Sequence, residues 1–205
     1  MKDNVFFVSG IDTNVGKSYA TGYLAKTWNE QGVRTITQKF IQTGNVGMSE
    51  DIELHRKIMG TGLLPEDESG LTMPEIFTYP CSPHLAAEID HRSIDFDKIE
   101  KATRQLSETY DAVLLEGARG LLTIDYVAQK NYPLIFVTSG KLGSINHTLL
   151  SLEAVTRRGI RLHTVAYNLF PEEDDDIIRR DTEAYIRDLL AKEYPETHFV
   201  VIPKL

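Results

Sequence analysis

Nine residues near the start of the chain can do chemistry together: Gly10-Ile11-Asp12-Thr13-Asn14-Val15-Gly16-Lys17-Ser18. A glycine-containing loop between a strand and a helix binds phosphate because its backbone N–H groups and the helix N-terminus all point at the anion. Lys17 then reaches the β- and γ-phosphates, and Ser18 places its hydroxyl on Mg²⁺. Gly16 lets the backbone approach closely. Asp12, Thr13, Asn14 and Val15 complete the wall around the phosphates. The implied ligand is ATP with Mg²⁺. The usual pattern has four residues between the two glycines, and this chain has five, Ile11 to Val15.

Mg²⁺ takes few protein ligands and keeps water and phosphate oxygens. Carboxylates at strand ends should therefore accompany Ser18. Glu116 follows Ala112-Val113-Leu114-Leu115 and precedes Gly117-Ala118-Arg119-Gly120. That is where the metal-binding acid of a phosphate-loop enzyme belongs; a helix-start acid or a surface charge is the plain alternative. Lys39 ends the second strand candidate, and Asp51 opens a helix one loop later. Taken alone, Lys39 reads as a solvated charge and Asp51 as a helix N-cap. Adjacency to the phosphate loop within one sheet is what gives them value. Lys141-Leu142-Gly143-Ser144-Ile145-Asn146-His147 opens another helix, whose free N–H groups suit a carboxylate. Ser144 and Asn146 read equally well as capping residues there, and His147 alone reads as structural.

Such residues converge only if the elements place them at one edge. Short β-rich runs at residues 5–9, 35–40, 112–116, 134–138, 163–167 and 199–202 alternate with helical patterns at 17–31, 95–110, 144–158 and 175–193. Several of them are almost continuously apolar, as suits parallel strands buried on both faces. The pattern predicts an α/β fold: three layers, a mostly parallel sheet flanked by helices, of the P-loop NTPase type. Ligands of such sheets bind beyond the C-terminal ends of the strands, where each of these motifs sits. The 205 residues are expected to form one domain over 1–205.

Formal net charge is −8, which opposes non-specific binding to nucleic acid. No apolar run approaches a membrane span, and Val5–Val8 is too short for a signal-peptide core. Cys81 is the one cysteine, so an internal disulfide is excluded and a cytoplasmic location fits. The acidic run Pro171-Glu172-Glu173-Asp174-Asp175-Asp176 reads as a solvated loop leading into a helix N-terminus.

Together the residues resemble the dethiobiotin synthetase family. Five segments match it in order: the phosphate loop with its five-residue spacing, Lys39-Phe40-Ile41-Gln42-Thr43-Gly44, Cys81-Ser82-Pro83-His84, Glu116-Gly117-Ala118-Arg119-Gly120, and Lys141 through His147. The resemblance implies ATP- and Mg²⁺-dependent carboxylation of 7,8-diaminononanoate with CO₂. A carbamate forms, ATP phosphorylates it to a carbamic–phosphoric anhydride, and the second amine closes the ureido ring. It implies Lys39, Lys17 and Thr13 as the catalytic set, and Ser18, Asp51 and Glu116 as metal ligands. Thr43 would lie near the diamine and Asn168 would read adenine. It further implies a homodimer with the diamine at the interface, where Gly143, Ser144, Ile145 and Asn146 of the partner take the substrate carboxylate. Another ATP-dependent amide synthase or carboxylase of the same fold is the competing reading. A switch ATPase of the partitioning type is disfavoured, because Asp12 stands where those proteins carry a signature lysine. The chain departs from the family at Phe40, usually Pro, and at Arg119, usually Gly. It also has a short stretch at 121–125 and ends soon after Ile202-Pro203, where the family's tail helps cover the base.

Overall fold

A computed structural model describes residues 4–118, 123–170 and 175–204. Arg119, residues 121 and 122 of the 121–125 stretch and residues 171–174 of the acidic run lie outside them. The element order is β1 Val5–Gly10, α1 Lys17–Glu30, β2 Thr35–Lys39, β3 Gln42–Thr43, α2 Glu50–Met59, α3 Pro65–Glu68, β4 Ile76–Phe77, α4 Pro83–Ile89, α5 Phe96–Thr109, β5 Ala112–Glu116, α6 Ile124–Lys130, β6 Leu134–Ser139, α7 Ser144–Arg157, β7 Leu162–Asn168, α8 Asp176–Glu193 and β8 His198–Ile202. Six strands form one sheet in the order β2-β5-β1-β6-β7-β8, and β3 pairs with β4 separately. The pairings β2–β5, β6–β7 and β7–β8 are all parallel. The predicted α/β class, the six expected strands and the four long helices are all present, with ends shifted by a residue or two.

The chain forms two compact units, and β1 contributes to both. The first comprises Met1–Phe7 and Thr21–Arg119. Here β2 and β5 run in register from Thr35 opposite Ala112 to Lys39 opposite Glu116. Val113, Leu114 and Leu115 are fully buried, as a near-continuous apolar strand requires, and Ile36 is fully buried between buried threonines of β2. α5 buries Ile99, Ala102 and Leu106 at helical spacing, with the Asp95 carboxylate accepting from the Lys98 N–H to cap its start. α1 approaches α2 closely at Gly22, where a Cβ would stand 3.2 Å from His55 Cα and from Ile58 Cβ. Phe40, the family's usual proline position, is wholly buried and packs edge-on against Phe7.

The second unit comprises Val8–Ala20 and Gly120–Leu205. Its strands bring Ser139, Asn168 and Ile202 level with one another. Val8, Phe136, Val137, Val165 and Ala166 form its core with Leu152 of α7 and Ile186 of α8. α8 starts at an N-cap: Asp175 accepts from the N–H groups of Ile177 and Ile178. The sequence placed this acidic run at a helix N-terminus, and the structure shows Asp175 there as its cap.

Candidate active site

The phosphate loop leaves β1 at Gly10 and enters α1 at Lys17. Ile11 N–H donates to Val137 O at 3.1 Å, tying the loop to β6. A Cβ at Gly10 would lie 2.7 Å from Val15 Cγ1 and 2.9 Å from Val137 O, so only glycine fits there. Asp12, Thr13 and Asn14 are exposed and form the rim, while Val15 is buried. Asp12 Oδ1 accepts from Thr13 N–H at 2.6 Å. The buried Lys17 lies along the loop, its Nζ donating to Asp12 O at 2.8 Å and Thr13 O at 3.3 Å. Lys17 and the rim residues Asp12 and Thr13 are thus one structural unit.

Gly16 adopts φ +82°, and a Cβ there would run into the Asn168 amide. Asn168, at the end of β7, is wholly buried. Its Nδ2 donates to Val15 O at 2.9 Å and to Phe170 O, and its Oδ1 accepts from Phe170 N–H. Asn168 therefore braces the second half of the loop through backbone contacts. Tyr19 of α1 stacks on the half-exposed Phe170 at 5.7 Å between ring centroids.

α7 begins after Gly143, which occupies the N-cap position at φ +92°. No side chain caps this helix, so the capping alternative for Ser144 is not what the structure shows. The Ser144 hydroxyl instead pairs with Ser139 Oγ at 3.0 Å, and one turn later Thr148 pairs with Thr138 at 2.8 Å. These bonds fasten the helix start to the end of β6. Ile145 is half-buried and Asn146 is exposed.

In the first unit the strand-end residues converge. Lys39 and Glu116 are register partners, so their side chains leave the sheet on the same face. Lys39 Nζ lies 2.7 Å from Glu116 Oε1 and 2.5 Å from Asp51 Oδ2. Burial alone would lower the Lys39 pKa, but the Glu116 and Asp51 carboxylates outweigh it and raise it above its ordinary value. Burial likewise works against an ionised Glu116. The Lys39 charge and the His55 hydrogen bond override that and hold its carboxyl well below the usual carboxylate range. The result is a buried, fully ionised lysine between two acids, with two of its three N–H donors committed.

Asp51 is delivered by α2, and the start of α2 is locked. Ser49 is the N-cap: its Oγ accepts from Ile52 N–H at 3.2 Å and donates to Gln42 Oε1 at 2.6 Å. The cap is thus Ser49, and Asp51 is left for the lysine. Gln42 and Thr43 form β3, whose partner is β4. Thr43 is half-buried beside Gly44, which packs against Pro80 at φ +85°. Pro83 starts α4 right after Ser82 at its N-cap position, and His84 is exposed.

A family model described as an AAA domain matches residues 4–205, running through both units. The ATP-dependent dethiobiotin synthetase BioD 2 of Pasteurella multocida is 52% identical over 97% of this chain and 96% of its own length. The chain belongs to the dethiobiotin synthetase family. The BioD 2 of Haemophilus influenzae is 55% identical over 86% of this chain and 96% of its own length. The dethiobiotin synthetase BioD of Chlorobaculum tepidum is 49% identical over 89% of this chain and 80% of its own. Among solved structures, the Aquifex aeolicus MinC:MinD cell division complex matches at TM-score 0.60 with 14% identity, covering 98% of this chain and 82% of that one. The pNOB8 ParA bound to nonspecific DNA matches at 0.55 with 15% identity, covering 98% and 81%. At that identity the likeness concerns the P-loop fold alone.

One residue of this buried cluster went unread in the sequence. His55 is wholly buried and contacts Glu116 directly. The signal was available: His55 follows Asp51 by four residues, which puts both on one helix face.

Proposed function

We propose that this chain is an ATP-dependent dethiobiotin synthetase acting in the cytoplasm on 7,8-diaminononanoate, CO₂ and ATP. One amine adds to CO₂ and loses a proton to give a carbamate. A carbamate oxygen attacks the γ-phosphorus, and ADP leaves. The second amine attacks the carbonyl carbon of the resulting anhydride, phosphate leaves, the nitrogen loses a proton, and the ureido ring closes. The observation that carries this reading is the buried Lys39 ammonium braced by Asp51 and Glu116. Phosphorylating a carbamate brings two anions together, and a fixed, water-shielded cation favours the transition state most. The third N–H of Lys39 is the donor assigned to the carbamate and γ-phosphate. Lys17 and the loop N–H groups bind the phosphates, with Thr13 on the rim and Asn168 toward adenine.

Ser18, Asp51 and Glu116 are the proposed Mg²⁺ ligands. Two carboxylates already converge on one cationic atom, and hard oxygen donors are what Mg²⁺ selects. When bound, the metal neutralises phosphate charge as it shifts to the leaving ADP. Thr43 is assigned to the diamine. The chain is proposed to act as a homodimer in which the partner's Gly143–Asn146 segment takes the substrate carboxylate. The test supplies 7,8-diaminononanoate, bicarbonate and Mg-ATP to the pure protein and looks for dethiobiotin by mass spectrometry. Product with stoichiometric ADP is expected, and a folded protein that makes none overturns the assignment.

A further inference from the structure

Glu116 is held from behind as well as from Lys39. His55 Nε2 lies 2.8 Å from Glu116 Oε2, and His55 Nδ1 lies 3.0 Å from Thr37 Oγ1. Thr37 precedes Lys39 by two residues on β2, so it shares the face from which Lys39 and Glu116 project. Arg56 Nη1 donates to the same Thr37 hydroxyl at 2.8 Å. The Thr37 hydroxyl thus joins the ring to the Arg56 guanidinium. An ionised carboxylate can only accept, so His55 Nε2 donates to Glu116 Oε2. Arg56 is itself fixed by a two-pronged pair with Asp67, both contacts at 2.8 Å, and the Thr72 hydroxyl donates to Asp67 at 2.6 Å. Every member of this chain is buried. The two oxygens of Glu116 thus have separate duties: Oε2 is tied to the framework, and Oε1 faces Lys39.

We propose that His55 is a positioning residue that fixes the Glu116 carboxylate so that Oε1 is presented, beside Asp51, to the cations of the reaction centre. The inference rests on the metal role proposed for Glu116. A carboxylate turns easily about its last torsion, which is broad and two-fold. Lys39 holds Oε1 and the imidazole holds Oε2, so the ring fixes the turn from the framework side. Groups that orient a metal ligand in this way typically change metal affinity by about 10–100-fold when removed. A histidine that merely fills space would have no such effect once its volume is replaced.

The experiment titrates Mn²⁺ into the full-length protein saturated with ADP and reads free Mn²⁺ by electron paramagnetic resonance. Glu116→Gln should weaken Mn²⁺ binding. His55→Leu should weaken it by about 10–100-fold while metal-free ADP affinity stays within about twofold of wild type. His55→Gln, whose amide can still donate to Glu116, should recover most of the loss. Thr37→Val leaves the ring in place but free to turn, and should fall between wild type and His55→Leu. A His55→Leu protein that melts cooperatively and binds Mn²⁺ within about twofold of wild type overturns the inference. So does a His55→Gln protein that binds no better than His55→Leu. If His55→Leu does not fold, Thr37→Val decides, and wild-type affinity there overturns the inference. Unchanged Mn²⁺ binding in Glu116→Gln removes the metal assignment itself, and the inference with it. A loss in Glu116→Gln without one in His55→Leu overturns the role of His55 alone.

Discussion

Lys39 has two tasks that a single substitution separates. It neutralises two carboxylates that would otherwise face each other, one of them fully buried. Its third N–H is the donor proposed for charge that builds up during reaction. Lys39→Ala should therefore lower stability by about 3 kcal/mol, since an uncompensated buried charge is left behind. Turnover of the folded variant should drop by about 10²–10³-fold, the usual loss when one preorganised donor is removed. Nucleotide affinity should change little, because phosphate binding belongs to the loop. If equilibrium binding of ATP fell as far as turnover, Lys39 would be a nucleotide ligand instead. Glu116 makes a complementary prediction about pH. Its folded pKa lies below its unfolded value, so the stability it contributes is present above the ordinary carboxylate pKa of about 4.5 and is lost as pH falls below that. The gap in melting temperature between wild type and Glu116→Gln should narrow as pH is lowered from about 6 to about 3. A gap that stays constant over that range would mean that Glu116 is not held ionised in the fold.

At the scale of elements, the start of α2 decides where Asp51 and His55 stand. The Ser49 hydroxyl is both the helix cap and the partner of buried Gln42. Ser49→Ala should cost about 1–3 kcal/mol, a lost cap plus a buried amide oxygen without its donor. Denaturant titration measures this, and a loss below about 0.5 kcal/mol would mean that α2 is seated by packing alone. The long elements around this helix were legible in the sequence for a physical reason. Strands β1, β5 and β6 are almost entirely buried and carry long apolar runs, while β2 and β7 show as β-branched and aromatic residues around buried polar ones. The short ones were not. β3 and β4 have two residues each and α3 has four, too few for any period to show. The site divides along the same line. Glu116 announces itself as the polar end of an apolar strand, and Lys39 as the charge that ends a β-rich one. The link from His55 through Thr37 to Arg56 joins α2 to β2, and nothing in a linear reading shows that contact.

For the whole molecule, the remaining prediction concerns assembly. Among the described residues no helix is long and apolar enough to cross a membrane, yet α7 and the turn before it display apolar side chains outward. Leu142 is 81% exposed and Leu150 is 59% exposed. A scattered apolar residue on a surface is ordinary. These two, however, lie on the segment that presents Gly143–Asn146, the part of the site proposed to act on a partner's substrate. The fastening of Ser144 and Thr148 to β6 makes that helix start rigid, which suits it to deliver N–H groups across an interface. Leu142→Glu should therefore shift the protein toward monomer in sedimentation velocity. It should raise KM for the diamine by about tenfold or more while ATP affinity stays within about twofold, because the phosphate loop lies within one chain. Ile177, 79% exposed on α8, supplies the control: Ile177→Glu should alter neither assembly nor KM. A Leu142→Glu protein that sediments as wild type with an unchanged diamine KM would remove the α7 start from the interface, and the diamine carboxylate would then have to be bound within a single chain.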